Sequence, residues 1–152
     1  MLKKVGLYLF IALIPGLLLF GFLNKNWFNR IISEKMKVQA GTQVNLTAEE
    51  YVRIHFIYAQ NGLDYRFTLL EFGSSGCAMC KQMEPVLEEI RNSDKVKVNV
   101  VFLHIMDPDN QKLIQYYGIS AVPMQILLDA RGNEFFRHYG YITASQILAK
   151  LN

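Results

Sequence analysis

The chain is poor in cysteine: its 152 residues include only two, together with one tryptophan and four prolines. So few cysteines exclude a small scaffold held together by several disulfides. They also exclude a zinc site built from two cysteine pairs, because tetrahedral zinc needs four ligands and the three histidines are scattered along the chain. We therefore expect no bound metal ion.

Acidic residues are scarce at the start of the chain, where six Lys and Arg in residues 1–37 face the single acid Glu34. The remainder carries ten basic side chains against twelve acidic ones, so the overall charge of +3 comes from the N-terminal part. A folded part with a slight acidic excess does not favour nucleic acid, and we expect no nucleic-acid partner.

Both cysteines lie in the motif Cys77-Ala78-Met79-Cys80, between an apolar run and an amphipathic helical pattern. The N-terminus of a helix favours a thiolate, the form of cysteine that attacks disulfides, so Cys77 is the predicted nucleophile. Cys80, one turn further, would then resolve the mixed disulfide. The alternative is a structural disulfide, but a three-residue gap closes too small a loop to constrain the unfolded chain strongly.

The chain also has one long hydrophobic run, since residues 5–23 contain no charged side chain. As a helix this run would be about 28 Å long, which matches the hydrocarbon core of a bilayer. Residues 1–24 are therefore predicted to form a transmembrane anchor, kinked at Pro15-Gly16. A cleaved signal peptide is the alternative, although its apolar region is normally shorter and followed by a cleavage site with small residues.

The location of the rest of the chain follows from this anchor. Basic residues flank both of its ends, so the positive-inside rule does not orient it. Because an anchor ahead of a dithiol domain serves to export that domain, we expect a single-pass protein of the cell membrane with its domain extracytoplasmic, on the periplasmic side. Residues 25–46 interleave aromatic and basic residues, which predicts an amphipathic juxtamembrane stalk at the lipid surface, ending in a connection over residues 38–46.

The remaining residues, 47–152, alternate between helical and strand patterns. Thr47 and Glu50 form a capping-box pattern that predicts a helix start, and Asn61-Gly62 predicts its end. Helices are predicted at 77–91, 109–117 and 143–151, and strands at 66–72, 97–106, 124–129 and 134–139. This order predicts an α/β sandwich in which helices flank a central mixed sheet.

The domain resembles the thioredoxin superfamily. The resemblance rests on the strand Leu69-Leu70-Glu71-Phe72, on Cys77 and Cys80 followed by Lys81, on Pro85, and on the segment Tyr117-Gly118-Ile119-Ser120-Ala121-Val122-Pro123. It implies a thioredoxin-like fold, with Pro123 as a cis-proline against the disulfide and the backbone of Val122 binding an extended substrate segment.

The resemblance further implies that Glu71 is the acid beneath the second cysteine, where it could accept a proton from Cys80. A strand-end glutamate that reaches solvent is the alternative. Two positions depart from the family pattern: Gly76 replaces the usual tryptophan, and Met79 stands in the dipeptide between the cysteines. Both would contact substrate, although Met79 could equally just cover the helix end.

These features predict a membrane-tethered thiol-disulfide oxidoreductase that acts on protein clients without a cofactor. As an extracytoplasmic reductase it would need electrons from a membrane partner. One alternative is a Cu(I) delivery module that uses the same two thiolates, with His138 as a weak third ligand. The other is a non-catalytic adaptor with an inactive dithiol.

Overall fold

A computed structural model describes residues 13–17, 20–21 and 25–151. The predicted transmembrane anchor, residues 1–24, lies mostly outside the described residues. Within the described part, no helix is both long enough and apolar enough to cross a membrane.

Six helices and four strands span residues 25–151. In chain order they are α1 (Lys25–Gln39), α2 (Gly41–Phe56), α3 (Tyr58–Asn61), β1 (Phe67–Gly73), α4 (Ala78–Arg91), β2 (Val98–His104), a 3₁₀ turn (Pro108–Asn110), α5 (Gln111–Tyr116), β3 (Met124–Asp129), β4 (Glu134–Tyr139) and α6 (Ala144–Leu148). The strands form one sheet in the order β2-β1-β3-β4, in which β1 pairs parallel with β2 and antiparallel with β3. The predicted α/β sandwich with a mixed central sheet is confirmed.

The sheet is covered by helices on both faces, because alternate residues of its central strands point to opposite sides. On one face Leu70 and Phe72 pack with α2 and α5. On the other face Leu69 and Leu127 pack with α4 and α6. The central strands β1 and β3 are therefore buried on both faces, and the site is built where β1 ends.

The predicted start of α2 at Thr47, and the connection before it, are wrong. The helix begins at Gly41, and the Thr47 hydroxyl donates a 2.9 Å hydrogen bond to the Gln43 carbonyl inside it. The physical reason is a stripe of apolar residues at four-residue spacing, which extends one turn ahead of Thr47; its first member is half-buried and its other three are buried in the core. The stripe consists of Val44, Ala48, Val52 and Phe56.

Helix α1 forms where the sequence predicts it, and it packs on the domain. Its Ser33 is completely buried, and a Cβ added at Gly118, which follows α5, would collide with the Ser33 backbone carbonyl. Lys37 reaches Glu134 on β4 at 3.5 Å, and Arg137 holds the same carboxylate. Close backbone approach and an ion pair therefore fix this helix against the sheet edge and α5.

Candidate functional site

The two cysteines lie at the N-terminus of α4 and are joined as a disulfide with a Cα–Cα distance of 5.2 Å. Cys77 is the N-cap residue, and its sulfur accepts a 3.1 Å hydrogen bond from the backbone N–H of Cys80. Cys77 is partly exposed, whereas Cys80 is only 5% exposed. The outer sulfur is therefore the one that a partner can reach, and the N–H at the helix end points at it.

The end of β1 brings the sheet close to this disulfide. Gly73 is the last residue of β1, and a Cβ there would lie 2.6 Å from the ring of Phe102 and 3.6 Å from Cβ of Cys80. A side chain at position 73 would therefore have to displace the Phe102 ring. Because Gly73 has no side chain, the first turn of α4 can pack directly against the end of β1.

His104, the last residue of β2, holds the loop that leads to Cys77. Its Nε2 lies 3.3 Å from the Ser75 backbone nitrogen and 3.4 Å from the Ser75 hydroxyl, and its Nδ1 accepts a 3.2 Å hydrogen bond from the Met106 backbone N–H. The contact of His104 with this loop was not predicted from the sequence. A parallel pairing of β1 and β2 would have indicated this contact. Neighbouring parallel strands end at the same edge of a sheet, so His104 at the end of β2 lies beside the end of β1.

The Val122–Pro123 peptide bond is cis, as the resemblance implies. Pro123 is buried, and its carbonyl accepts a 2.9 Å hydrogen bond from the Gly140 N–H. A shallow apolar cavity of about 200 Å³ adjoins this bond. It is lined by Ile105, Ile114, Ile119, Ser120, Ala121 and Val122.

The two residues that depart from the family pattern are both exposed. Gly76 is exposed just ahead of Cys77, and apart from its two chain neighbours no residue has an atom within 4 Å of where its Cβ would be. Met79 is 42% exposed on the first turn of α4. An incoming polypeptide could therefore contact both residues beside the outer sulfur.

Glu71 is completely buried in β1. The alternative prediction, that this glutamate reaches solvent from the end of the strand, is therefore wrong. Burial raises the pKa of this carboxyl to about 8, and the nearby amide of Gln125 acts in the opposite direction. Neither side chain makes a hydrogen bond of good geometry. A carboxyl in this environment is neutral over much of the physiological range and can exchange a proton near neutral pH.

The described residues contain no group of three or more His, Cys, Asp or Glu side chains arranged to hold a metal ion. His138, the weak candidate for a third copper ligand, lies on β4, where its Nε2 is 3.1 Å from the Tyr141 carbonyl. Its ring stacks on Phe136 with an interplanar angle of 3°.

Comparison with known proteins gives consistent matches to thioredoxin-like proteins. The family of thioredoxin-like domains matches residues 57–152. The chain is 31% identical over 83 residues to thioredoxin of Alicyclobacillus acidocaldarius, covering 55% of this chain and 76% of that protein. It is 26% identical over 85 residues to the thioredoxin-like protein HCF164, chloroplastic, of Arabidopsis thaliana, covering 56% of this chain and 33% of the relative.

The chain thus spans about a third of the length of the Arabidopsis relative. Among solved structures, the exposed lipoprotein thioredoxin of Streptococcus pneumoniae aligns with a TM-score of 0.51 at 20% identity, over 57% of this chain and 83% of that one. At this identity the likeness concerns the fold alone.

Proposed function

The chain belongs to the family of thioredoxin-like domains, and from this membership we propose that it is a membrane-tethered thiol-disulfide oxidoreductase acting on protein clients. The observation that carries the proposal is the disulfide at the N-terminus of α4, with an accessible outer sulfur and a shielded inner one. A disulfide that served only to brace the fold would not need this asymmetry, whereas exchange with a client requires it.

The proposed reaction starts from the reduced dithiol. The Cys77 thiolate attacks one sulfur of a client disulfide, which forms a mixed disulfide and releases the other client sulfur as a thiolate. Cys80 gives its proton to the Glu71 carboxylate and attacks the Cys77 sulfur, which closes the internal disulfide and releases the second client thiolate. The client gains two electrons and the dithiol loses two, and the reverse sequence would oxidise a client.

In this proposal the client segment lies across the exposed side of the disulfide. The backbone of Val122, ahead of the cis bond to Pro123, would hydrogen-bond an extended client segment, while Gly76 and Met79 would contact it beside the outer sulfur. The apolar cavity next to Val122 supports this placement, since it can accept one apolar client side chain. Regeneration of the dithiol requires an electron donor, which we propose to be a membrane protein.

The membrane part of the proposal rests on the N-terminal region. Residues 1–24 would form a single-pass anchor, α1 (Lys25–Gln39) would lie next to the membrane, and the domain that begins with α2 at Gly41 would be extracytoplasmic, on the periplasmic side. Apolar side chains before and along α1 are 39–66% exposed, which suits contact with lipid. They are Leu13, Ile14, Leu17, Phe20, Trp27, Phe28, Ile31 and Ile32.

The test is to replace Cys80 by serine in the native membrane and to search for protein-sized mixed disulfides on Cys77. Without Cys80 the mixed disulfide cannot resolve, so clients should accumulate and should be released by a reducing agent. The matched control is Cys77→Ser, which should trap none. Copper bound at one ion per wild-type dithiol, without trapped clients, would support delivery of Cu(I) instead, and the absence of both would support an adaptor.

A further inference from the structure

Two buried polar side chains face each other inside the domain. Glu71 on β1 and Gln125 on β3 are directly opposed in the antiparallel register, and both are 0% exposed. All four of their side-chain oxygen and nitrogen atoms are buried without a well-formed hydrogen bond. Buried polar atoms are costly unless they are paired, so this pair in a core of aliphatic side chains calls for a reason.

The pair lies on the face of the sheet that α4 covers. Side chains alternate along a strand, so Glu71 shares its face with Leu69, which packs with Met83 of α4. One step further along the same face is Gly73, whose would-be Cβ is 3.6 Å from Cβ of Cys80. Glu71 and Gln125 therefore lie between the sheet and the helix that starts at the dithiol.

The surroundings offer Glu71 few other polar contacts. The charged side chains of α4 are exposed to solvent, and α6 carries no titratable residue. Besides Cys80, two titratable groups lie on this face of the sheet: His138, which is opposite Gln125 in the register of β4, and His104, which is paired with Gly73 at the end of β2. Among the described residues, Gln125 is the only other buried polar side chain on this face, because Thr68 points to the opposite face and Ser33 belongs to α1.

An amide is chemically suited to this position. Its NH₂ group can donate to a carboxylate, and its oxygen can accept from a protonated carboxyl group. Gln125 can therefore serve Glu71 both before and after it takes a proton, without a charge of its own. An aliphatic residue at position 125 would serve neither state, and a charged residue would favour one state over the other.

We propose that Gln125 is a positioning residue that holds the Glu71 carboxyl for proton exchange with Cys80 and stabilises the carboxylate that accepts the proton. The proposal rests on the proposed dithiol function and adds to it the partner of the acid. In this proposal, the rate of the second step, the attack of Cys80 on the mixed disulfide, depends on Gln125, a residue that touches neither the client nor the reacting sulfurs.

The test measures that second step directly on the full-length protein in detergent micelles. The reduced protein is mixed with Ellman's reagent: attack by Cys77 releases one coloured thiolate, and attack by Cys80 on the resulting mixed disulfide releases a second. The rate of the second release is recorded against pH for the wild type and for Gln125→Met. Loss of the amide should move the midpoint of this profile upward by about one pH unit, which slows the second release at pH 7 about tenfold.

Three further variants separate positioning from packing. Leu127→Met changes another buried residue on the same face of β3 and should leave the midpoint unchanged. Gln125→Leu repeats the loss of the amide if the methionine variant does not fold. In a Glu71→Gln background, Gln125→Met should cause no further shift, because the carboxyl group on which it acts has been removed.

The outcomes decide the proposal. The positioning role is overturned if Gln125→Met leaves the midpoint of the pH profile unchanged. It is also overturned if Gln125→Met slows the second release equally in the wild-type and Glu71→Gln backgrounds. Both results leave dithiol exchange intact. A pH profile that persists in Glu71→Gln would assign the titration to His138, His104 or Cys80, and it would overturn the positioning role as well. A wild-type protein that never releases the second thiolate would overturn the proposed function itself, and the positioning role with it.

Discussion

Replacing Glu71 by glutamine should stabilise the oxidised protein, by an amount that grows with pH. The carboxyl is completely buried, and burial raises its pKa from 4.5 to about 8. Between these two values the unfolded chain is ionised at this position while the folded protein is still protonated. The unfolded state then binds fewer protons, so the stability of the wild type falls as pH rises from 4.5 to 8.

The size of the effect follows from the pKa difference. Each unit corresponds to about 1.4 kcal/mol, so the penalty is close to zero at pH 4.5 and about 3 kcal/mol at pH 7. Above pH 8 it levels off, because the folded protein ionises as well. Glutamine has nearly the same shape and no charge, so Glu71→Gln should be free of this penalty.

Urea unfolding of the oxidised full-length protein in detergent micelles, repeated at pH 5, 6, 7 and 8, would measure the difference in unfolding free energy. The matched control is Glu84→Gln, which removes an exposed acid from α4 and should show no comparable growth with pH. A difference between wild type and Glu71→Gln that is constant or shrinks with pH would refute the reasoning, because it would mean that the buried carboxyl is not held neutral.

Three further changes test how the site is supported. Gly118→Ala places a methyl group against the Ser33 carbonyl at a φ of +60°, so it should displace α1 and lower the unfolding free energy by about 1–3 kcal/mol, and unchanged urea unfolding would contradict that packing. His104→Ala removes the Nδ1 acceptor of the Met106 backbone N–H, so amide exchange at Met106 should become about tenfold faster, whereas equal protection would show that the imidazole does not make this hydrogen bond. Thr143→Ala removes the capping box of α6 and should cost about 1 kcal/mol in thermal unfolding, and an unchanged melting temperature would show that the cap does not stabilise the helix.

The strands were predictable because their signals are local. The observed bounds of β3 and β4 match the prediction, since each is a run of strand-forming residues next to Pro123 or the turn at Gly132. The first helix of the domain was predicted to start too late, because Thr47 and Glu50 form a local capping pattern while the apolar stripe that extends the helix depends on packing against the sheet. Where a local signal and tertiary packing disagreed, packing decided.

The site was predictable only in part, for a related reason. The position of the dithiol follows from the sequence, but the burial of Glu71 depends on how α4 lies over the sheet. Its pairing with Gln125 depends on the register between β1 and β3, and a shift of one residue would have turned the amide to the other face. His104 likewise gains its contact with Ser75 from the alignment of two strands that are distant in sequence.

The free energy worked out for Glu71 also bears on the choice between the proposed functions. A carboxyl with this raised pKa is expected to lower stability by about 3 kcal/mol at pH 7, which is a large part of the margin of an ordinary domain. Stability alone would favour an apolar residue there, like its neighbours Leu69 and Phe72. An adaptor with an inactive dithiol has no use for an ionisable group in this place, and a module that only holds Cu(I) needs no proton acceptor behind its ligands. Transfer of a proton from the shielded sulfur does need one, and this makes catalytic exchange the function that best accounts for the buried acid.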